Sequence, residues 1–230
     1  SIILALDETG SMGKIPQHFV AEGLPTMMET IFQAGVKDPA LLIAAIGDHE
    51  SDQSPLQVGQ FESGDQEIDQ WLTRIHMEGR GGANDGESYM LAWAFAANQT
   101  VTDAWEKRQQ KGFLFTIGDE PTLKSIPANV LASITGQQQT PTTAIEMLNA
   151  VAEKWHVYHL HIAETSSGSR QSVIAEWRGL LLDNCIIVNN YKDLPNTIAQ
   201  TIARQIVIDN KTPKQMGITT KADIPSATTE

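Results

Sequence analysis

The chain has 230 residues, of which 41% are apolar, a formal net charge of −12 and a single cysteine. That length suits one α/β domain whose core needs no covalent staple, and a lone thiol excludes an intramolecular disulfide. An acidic surface repels phosphate backbones and anionic headgroups, so neither nucleic acid nor membrane is an expected partner, and no apolar run reaches the roughly 20 residues of a membrane helix.

From the N-terminus, Ile2–Leu6 reads as a buried strand. It lacks a basic flank and meets Asp7 directly, so it is not read as a signal peptide. With the cysteine usage, this predicts a cytoplasmic or other intracellular setting. Phe19–Ala34 follows as a helix, with Val20, Leu24, Met27, Met28, Ile31 and Phe32 at helical spacing. Leu41–Ile46 is a second apolar strand, and Leu56–Phe61 alternates as a half-exposed edge strand does. Asp65–His76 places Ile68, Trp71, Leu72 and Ile75 on one helical face, and Glu87–Asn98 is a helix with Asp85 as its N-cap. Gly112–Ile117, Val157–Ile162 and Cys185–Val188 are further strands, with helices over Pro141–Trp155, Arg170–Leu182 and Leu194–Ile208. Trp71, Trp93, Trp105, Trp155 and Trp177 are all read as helical. From Asp209 the apolar periodicity stops, which divides the chain into a domain, 1–208, and a polar tail, 209–230. Short apolar strands alternating with helices predict an α/β fold with a parallel sheet covered on both faces.

In such sheets ligands bind beyond the carboxyl ends of the strands. Asp7-Glu8-Thr9-Gly10-Ser11 follows the first strand, Gly47-Asp48-His49-Glu50 the second, and Gly118-Asp119-Glu120-Pro121 the Gly112–Ile117 strand. Neighbouring acidic loops repel unless a cation lies between them or one carboxyl keeps its proton. Carboxylate and hydroxyl oxygens are hard donors that suit Mg²⁺, Mn²⁺ or Ca²⁺ over zinc or copper.

Asp7-x-Thr9-x-Ser11, ending an apolar strand and followed by Met12-Gly13, resembles the Asp-x-Ser-x-Ser signature of the von Willebrand factor A domains, which forms their metal-ion-dependent adhesion site (MIDAS). Gly118-Asp119-Glu120-Pro121 resembles the family's later Thr-Asp-Gly stretch. Gly81-Gly82-Ala83-Asn84-Asp85-Gly86 is similar to its middle Gly-Gly-Thr-Asn loop. The order of elements agrees from residue 1 to about 208. The resemblance implies a three-layer, doubly wound, Rossmann-like fold, mostly parallel with one antiparallel edge strand. It also implies a Mg²⁺ site built from Asp7, Thr9, Ser11 and Asp119, open to an acidic residue of a protein partner. Thr9 keeps the hydroxyl of the signature's first Ser, whereas Ala83 cannot ligate, so Asn84, Asp85 or water takes that place. Glu8, Asp48, His49 and Glu120 are expected on the rim. By analogy with intracellular members, the function implied is a non-enzymatic scaffold within a larger complex.

Two other readings remain open. Asp7 is placed as the nucleophile of a Mg²⁺-dependent phosphotransferase similar to the haloacid dehalogenases would be, but Thr9 stands where their general acid belongs. A structural domain without metal, in which Thr9 and Ser11 only cap the following helix, is the third. His156, His159 and His161 share a strand and, with no third ligand at suitable spacing, are read as satisfied interior or rim histidines. For the tail, deletion of residues 212–230 is expected to leave the thermal melting temperature within a degree or so of the full chain, because little apolar surface there offsets the entropy of ordering it.

Overall fold

The computed structural model describes residues 1–64, 86–137 and 139–211. The helix expected over Asp65–His76, the loop with Asn84 and Asp85, and the stretch from 212 on lie outside the described residues.

A six-stranded sheet runs in the order β3-β2-β1-β4-β7-β8. Its strands are β1 (Ile2–Asp7), β2 (Leu41–Ile46), β3 (Leu56–Val58), β4 (Gly112–Gly118), β7 (Trp155–Ile162) and β8 (Cys185–Val188). All pairings are parallel except β2–β3, so β3 is the antiparallel edge the sequence led us to expect. β1 and β4 are neighbours in the middle of the sheet, where the strand order turns, and that is the position at which doubly wound sheets open a crevice.

Alternation along the strands feeds two cores. Ile2, Leu4 and Leu6 face one way, with Phe115, Ile117 and Leu160, onto α1 (Ile15–His18), α2 (Leu24–Gln33) and α8 (Leu194–Lys211). Ile3 and Ala5 face the other way, with Leu114 and Val157, onto α3 (Met90–Asn98), α5 (Ala128–Thr135), α6 (Ala144–Val151) and α7 (Gln171–Leu181). α3 is apolar all round because it is enclosed: Met90, Leu91, Ala92, Trp93, Ala94 and Ala96 are buried.

Several boundaries differ from the sequence reading for local reasons. Glu87 is extended rather than helical, since its N–H donates to the Pro121 carbonyl and its carbonyl accepts from Leu123 N–H, so α3 starts only at Met90. α6 starts at Ala144, where Thr143 and Glu146 form a capping box. Trp155 belongs to β7, not to a helix: it pairs with Gly112 in the β-ladder, and its Nε1 donates to the Ala96 carbonyl at 3.1 Å. The helical run before α2 begins at Ile15 and passes through a π-helical turn, Phe19–Gly23. α8 continues to Lys211, three residues past the end of the periodic pattern, and Asp209 in that extension bonds His156 of β7 at 3.0 Å. The short helix α4 (Asp103–Arg108) and the small antiparallel pair of β5 (Ser125–Ile126) and β6 (Thr142–Thr143), which flank α5, left no clear apolar pattern in the sequence.

Trp177 of α7 is fully buried and stacks on His159 of β7 with ring centroids 3.6 Å apart. Replacing it by alanine is expected to cost about 3–5 kcal/mol of unfolding free energy in a chemical denaturation titration, as large aromatic truncations in closed cores do. A loss under about 1 kcal/mol would show that the α7 layer is not part of the cooperative core.

Candidate functional site

Asp7 is the last residue of β1 and Asp119 the first after β4, so parallel pairing of the two strands sets both carboxylates side by side. Both are completely buried. The chain after β1 then turns through Gly10–Met12 and brings Thr9 and Ser11 over them. The Thr9 N–H and hydroxyl donate to Asp7 Oδ1 at 2.9 and 2.6 Å, and the Ser11 hydroxyl donates to Asp119 Oδ1 at 2.8 Å. Thr9 Oγ1 and Ser11 Oγ lie 3.2 Å apart. Each hydroxyl has one proton, and the shorter contacts assign both protons to carboxylates. Two oxygens therefore face one another with lone pairs between them, and Ser11 is exposed to solvent above the buried pair.

Two residues absent from the sequence reading complete the cluster. The Tyr89 hydroxyl donates to Asp7 Oδ2 at 2.5 Å, and Thr165, in the loop after β7, donates to Asp119 Oδ2 at 2.6 Å. Thr165 lies just beyond the carboxyl end of β7, so its strand-end position was its signal in the sequence. Tyr89 carried no signal, because it reads as one more apolar residue of a helix. Gly118 makes Tyr89's approach possible: a Cβ there would lie 1.9 Å from the tyrosine oxygen and 2.7 Å from Asp7 Oδ2.

The electrostatics are those of crowded acids. Burial, and then the charge of Asp119, pushes Asp7 up to about 6 against the pull of its hydrogen bonds from Thr9 and Tyr89. Burial and Asp7 push Glu8 up to about 8. Glu87 is driven up to about 10 by burial and then by the charges of Asp7, Asp48, Asp52 and Glu120. Glu8 Oε2 and Glu87 Oε2 are buried with no hydrogen-bond partner among the described residues. Burial and Asp7 raise Tyr89 well above the ordinary tyrosine value, which keeps the proton on the donor. Arg170 pairs with Glu120, the neighbour of Asp119, while Lys107 pairs with Asp103 within α4.

The rim residues divide. Glu8 sits at the cluster. Asp48, fully buried, instead organises its own turn: it accepts from Glu50 N–H at 3.0 Å and Ser51 Oγ at 3.1 Å. His49 bonds Ser88 through both its N–H, at 2.9 Å, and its Nδ1, at 2.8 Å. Glu120 is held by Arg170, and its carbonyl accepts from Trp177 Nε1 at 2.9 Å. His159 and His161 are buried on one face, bonded to Thr116 and to the Gly168 carbonyl, while His156 is partly exposed beside Asp209.

Among the described residues no three His, Cys, Asp or Glu side chains converge as a metal cage. A cation at this point has to draw on hydroxyls as well as carboxylates. The donors fit a hard ion: Asp7 and Asp119 supply negative charge, Thr9 and Ser11 supply neutral oxygens, and the open side supplies water.

No protein-family model matches the chain, and no curated protein matches it. Solved structures do. The open conformation of the pilus adhesin SpaC from Lactobacillus rhamnosus GG superposes with a TM-score of 0.59 at 11% identity, over 89% of this chain and 30% of that one. Proximal thread matrix protein 1 of the mussel byssus, solved with a zinc-occupied MIDAS motif, gives 0.52 at 10% identity, over 88% and 46%. A von Willebrand factor type A protein from Catenulispora acidiphila gives 0.50 at 14%, over 89% and 42%. The chain thus spans less than half the length of each. The fold is that of the von Willebrand factor A domains. No helix among the described residues is long and apolar enough to cross a membrane.

The acid cluster sets a pH dependence. Glu8 and Glu87 carry folded-state values of about 8 and about 10 against an ordinary value near 4.3. A raised folded value means that the fold prefers the proton. Their contribution is therefore complete below about pH 4 and is lost as pH rises through about 8 and then about 10. Without divalent cations, the urea midpoint is expected to fall steadily from pH 7 to pH 9, above the range in which His156, His159 and His161, held below their ordinary value in the fold, act in the opposite sense. A midpoint that stays level or rises over that window would show these carboxyls to be solvated.

Proposed function

We propose that this domain is a protein-binding module whose contact point is a divalent cation, Mg²⁺ foremost, held by Asp7, Thr9, Ser11 and Asp119. The observation that carries the reading is the pair of hydroxyl oxygens of Thr9 and Ser11. They are 3.2 Å apart, and their protons are turned to the two buried carboxylates. Such a pair has lone pairs to offer and negative charge behind it. Few protein donors and one open face suit Mg²⁺, which keeps several waters and exchanges one of them for a carboxylate of a partner. The partner is then a protein presenting an acidic residue, drawn by the ion across an otherwise acidic surface. That the mussel matrix protein of this fold holds zinc in its MIDAS motif supports placing a cation at these strand ends. Asn84 and Asp85 are proposed as further ligands or as holders of ligand water.

Asp7 serves this role better than that of a phosphotransferase nucleophile. It is completely buried, and both its oxygens accept hydrogen bonds from within the protein. The buried thiol of Cys185 suits a reducing compartment. We place the domain inside the cell as a component of a larger assembly.

Ser11 is exposed and leaves no cavity when truncated, so Ser11→Ala is expected to keep the circular dichroism spectrum of the wild type, with a modest fall in melting temperature because Asp119 Oδ1 loses its donor. In calorimetric titration with Mg²⁺ or Mn²⁺ it is expected to lose at least tenfold in affinity, as is Asp7→Ala. Unchanged affinity in both variants would remove the site.

A further inference from the structure

The eight residues between β7 and α7, 163–170, form a braced loop. Thr165 Oγ1 accepts the Gly168 N–H at 3.0 Å, which leaves its own proton to be given away. Two acceptors are in reach, Asp119 Oδ2 at 2.6 Å and the Ile162 carbonyl at 3.4 Å, and the nearer, charged one takes it. Asp119 is then gripped from both sides, with Ser11 on Oδ1 and Thr165 on Oδ2. The loop that delivers Thr165 is itself fixed. Gly168 passes so close to the chain that a Cβ would lie 1.8 Å from the Ile162 carbonyl oxygen. His161 Nε2 donates to the Gly168 carbonyl at 2.8 Å. Arg170, at the loop's far end, pairs with Glu120, the neighbour of Asp119, and bonds the Ser167 carbonyl at 3.1 Å.

We propose that Thr165 is a positioning residue of the cation site, which makes the loop after β7 a further wall of that site beside the loops after β1 and β4. This rests on the cation reading given above. The Thr165 hydroxyl fixes the plane of the Asp119 carboxylate and occupies Oδ2, so that Oδ1 is the oxygen presented beside Ser11. Without it the carboxylate rotates about its Cβ–Cγ bond, and the ion must select one orientation from several. Partners of metal ligands commonly matter by 10–100-fold in affinity when removed.

The test is calorimetric titration of Mn²⁺ into the wild type, Thr165→Ser, Thr165→Val and Thr165→Ala, each checked for folding by circular dichroism. Thr165→Ser keeps the hydroxyl and is expected to bind within about twofold of the wild type. Thr165→Val keeps the shape without the hydroxyl and is expected to bind at least tenfold more weakly. Thr165→Ala, which adds no methyl against the carboxylate, is expected to match the Val variant and stands in for it if that variant does not fold. Wild-type binding with unchanged affinity in Val and Ala overturns the role of Thr165 and leaves the cation site standing. A loss in Val that Ser shares equally also overturns it, since loop shape and not the hydroxyl would then be at work. A wild type that takes up no cation overturns both readings.

Discussion

Two carboxylates, Asp7 and Asp119, stand side by side at the ends of adjacent parallel strands, and both are fully buried. Two negative charges in so dry a place repel strongly, and each also loses its hydration. Much of the local architecture answers that problem. Thr9, Ser11, Tyr89 and Thr165 turn hydroxyl protons toward the four carboxylate oxygens, one hydroxyl to each. Gly118 gives up its side chain so that Tyr89 can reach. The hydrogen bonds ease the repulsion without cancelling it, because hydroxyls are dipoles, and Asp7 is still held near 6. The remaining deficit is a standing demand for positive charge.

The acids around the pair meet the same crowding by keeping their protons near neutral pH. Glu8 and Glu87 each keep one buried oxygen without a partner among the described residues, an arrangement a purely structural domain would be expected to lose. Unpaired buried polar atoms cost about 1–3 kcal/mol each, so the domain is less stable than the same fold with apolar residues at those positions. Strained or unsatisfied groups gather where function requires them. Here they surround a point where two hydroxyl oxygens face each other beneath solvent.

The sheet and the two carboxylates at its strand ends were legible in the sequence for one physical reason, whereas Thr9 and Ser11 were singled out by the resemblance to the Asp-x-Ser-x-Ser signature. A strand covered on both faces is an uninterrupted apolar run, and its end is the first polar residue, so Asp7 and Asp119 mark themselves. What failed to show had no such contrast. Trp155 looked like the tail of a helix because apolar periodicity cannot see that Gly112 is its ladder partner. Glu87 looked helical because the bridge that extends it comes from Pro121 and Leu123, far away in sequence. Tyr89 and Thr165 act through a single hydroxyl each, and only the folded chain reveals where that hydroxyl points. His49 and Glu120 sit at the expected strand ends, but local partners, Ser88 and Arg170, claim their side chains.

Two buried histidines lie near the carboxylate pair. His159 and His161 are buried on the face that carries Tyr89 and Trp177, and ring contacts link His159 to both. A protonated imidazole there would place a positive charge near the carboxylate pair. Burial, and then the neighbouring His161, holds His159 well below the ordinary value, and burial lowers His161 despite the pull of Gly168 and Asp119. Both therefore stay neutral near pH 7. His161 then acts as a donor, tying down the Gly168 carbonyl. By stacking one imidazole on Trp177 and spending the other on the loop after β7, the fold keeps its nearest titratable bases uncharged. The carboxylate pair therefore gains no compensating charge from these two imidazoles near neutral pH.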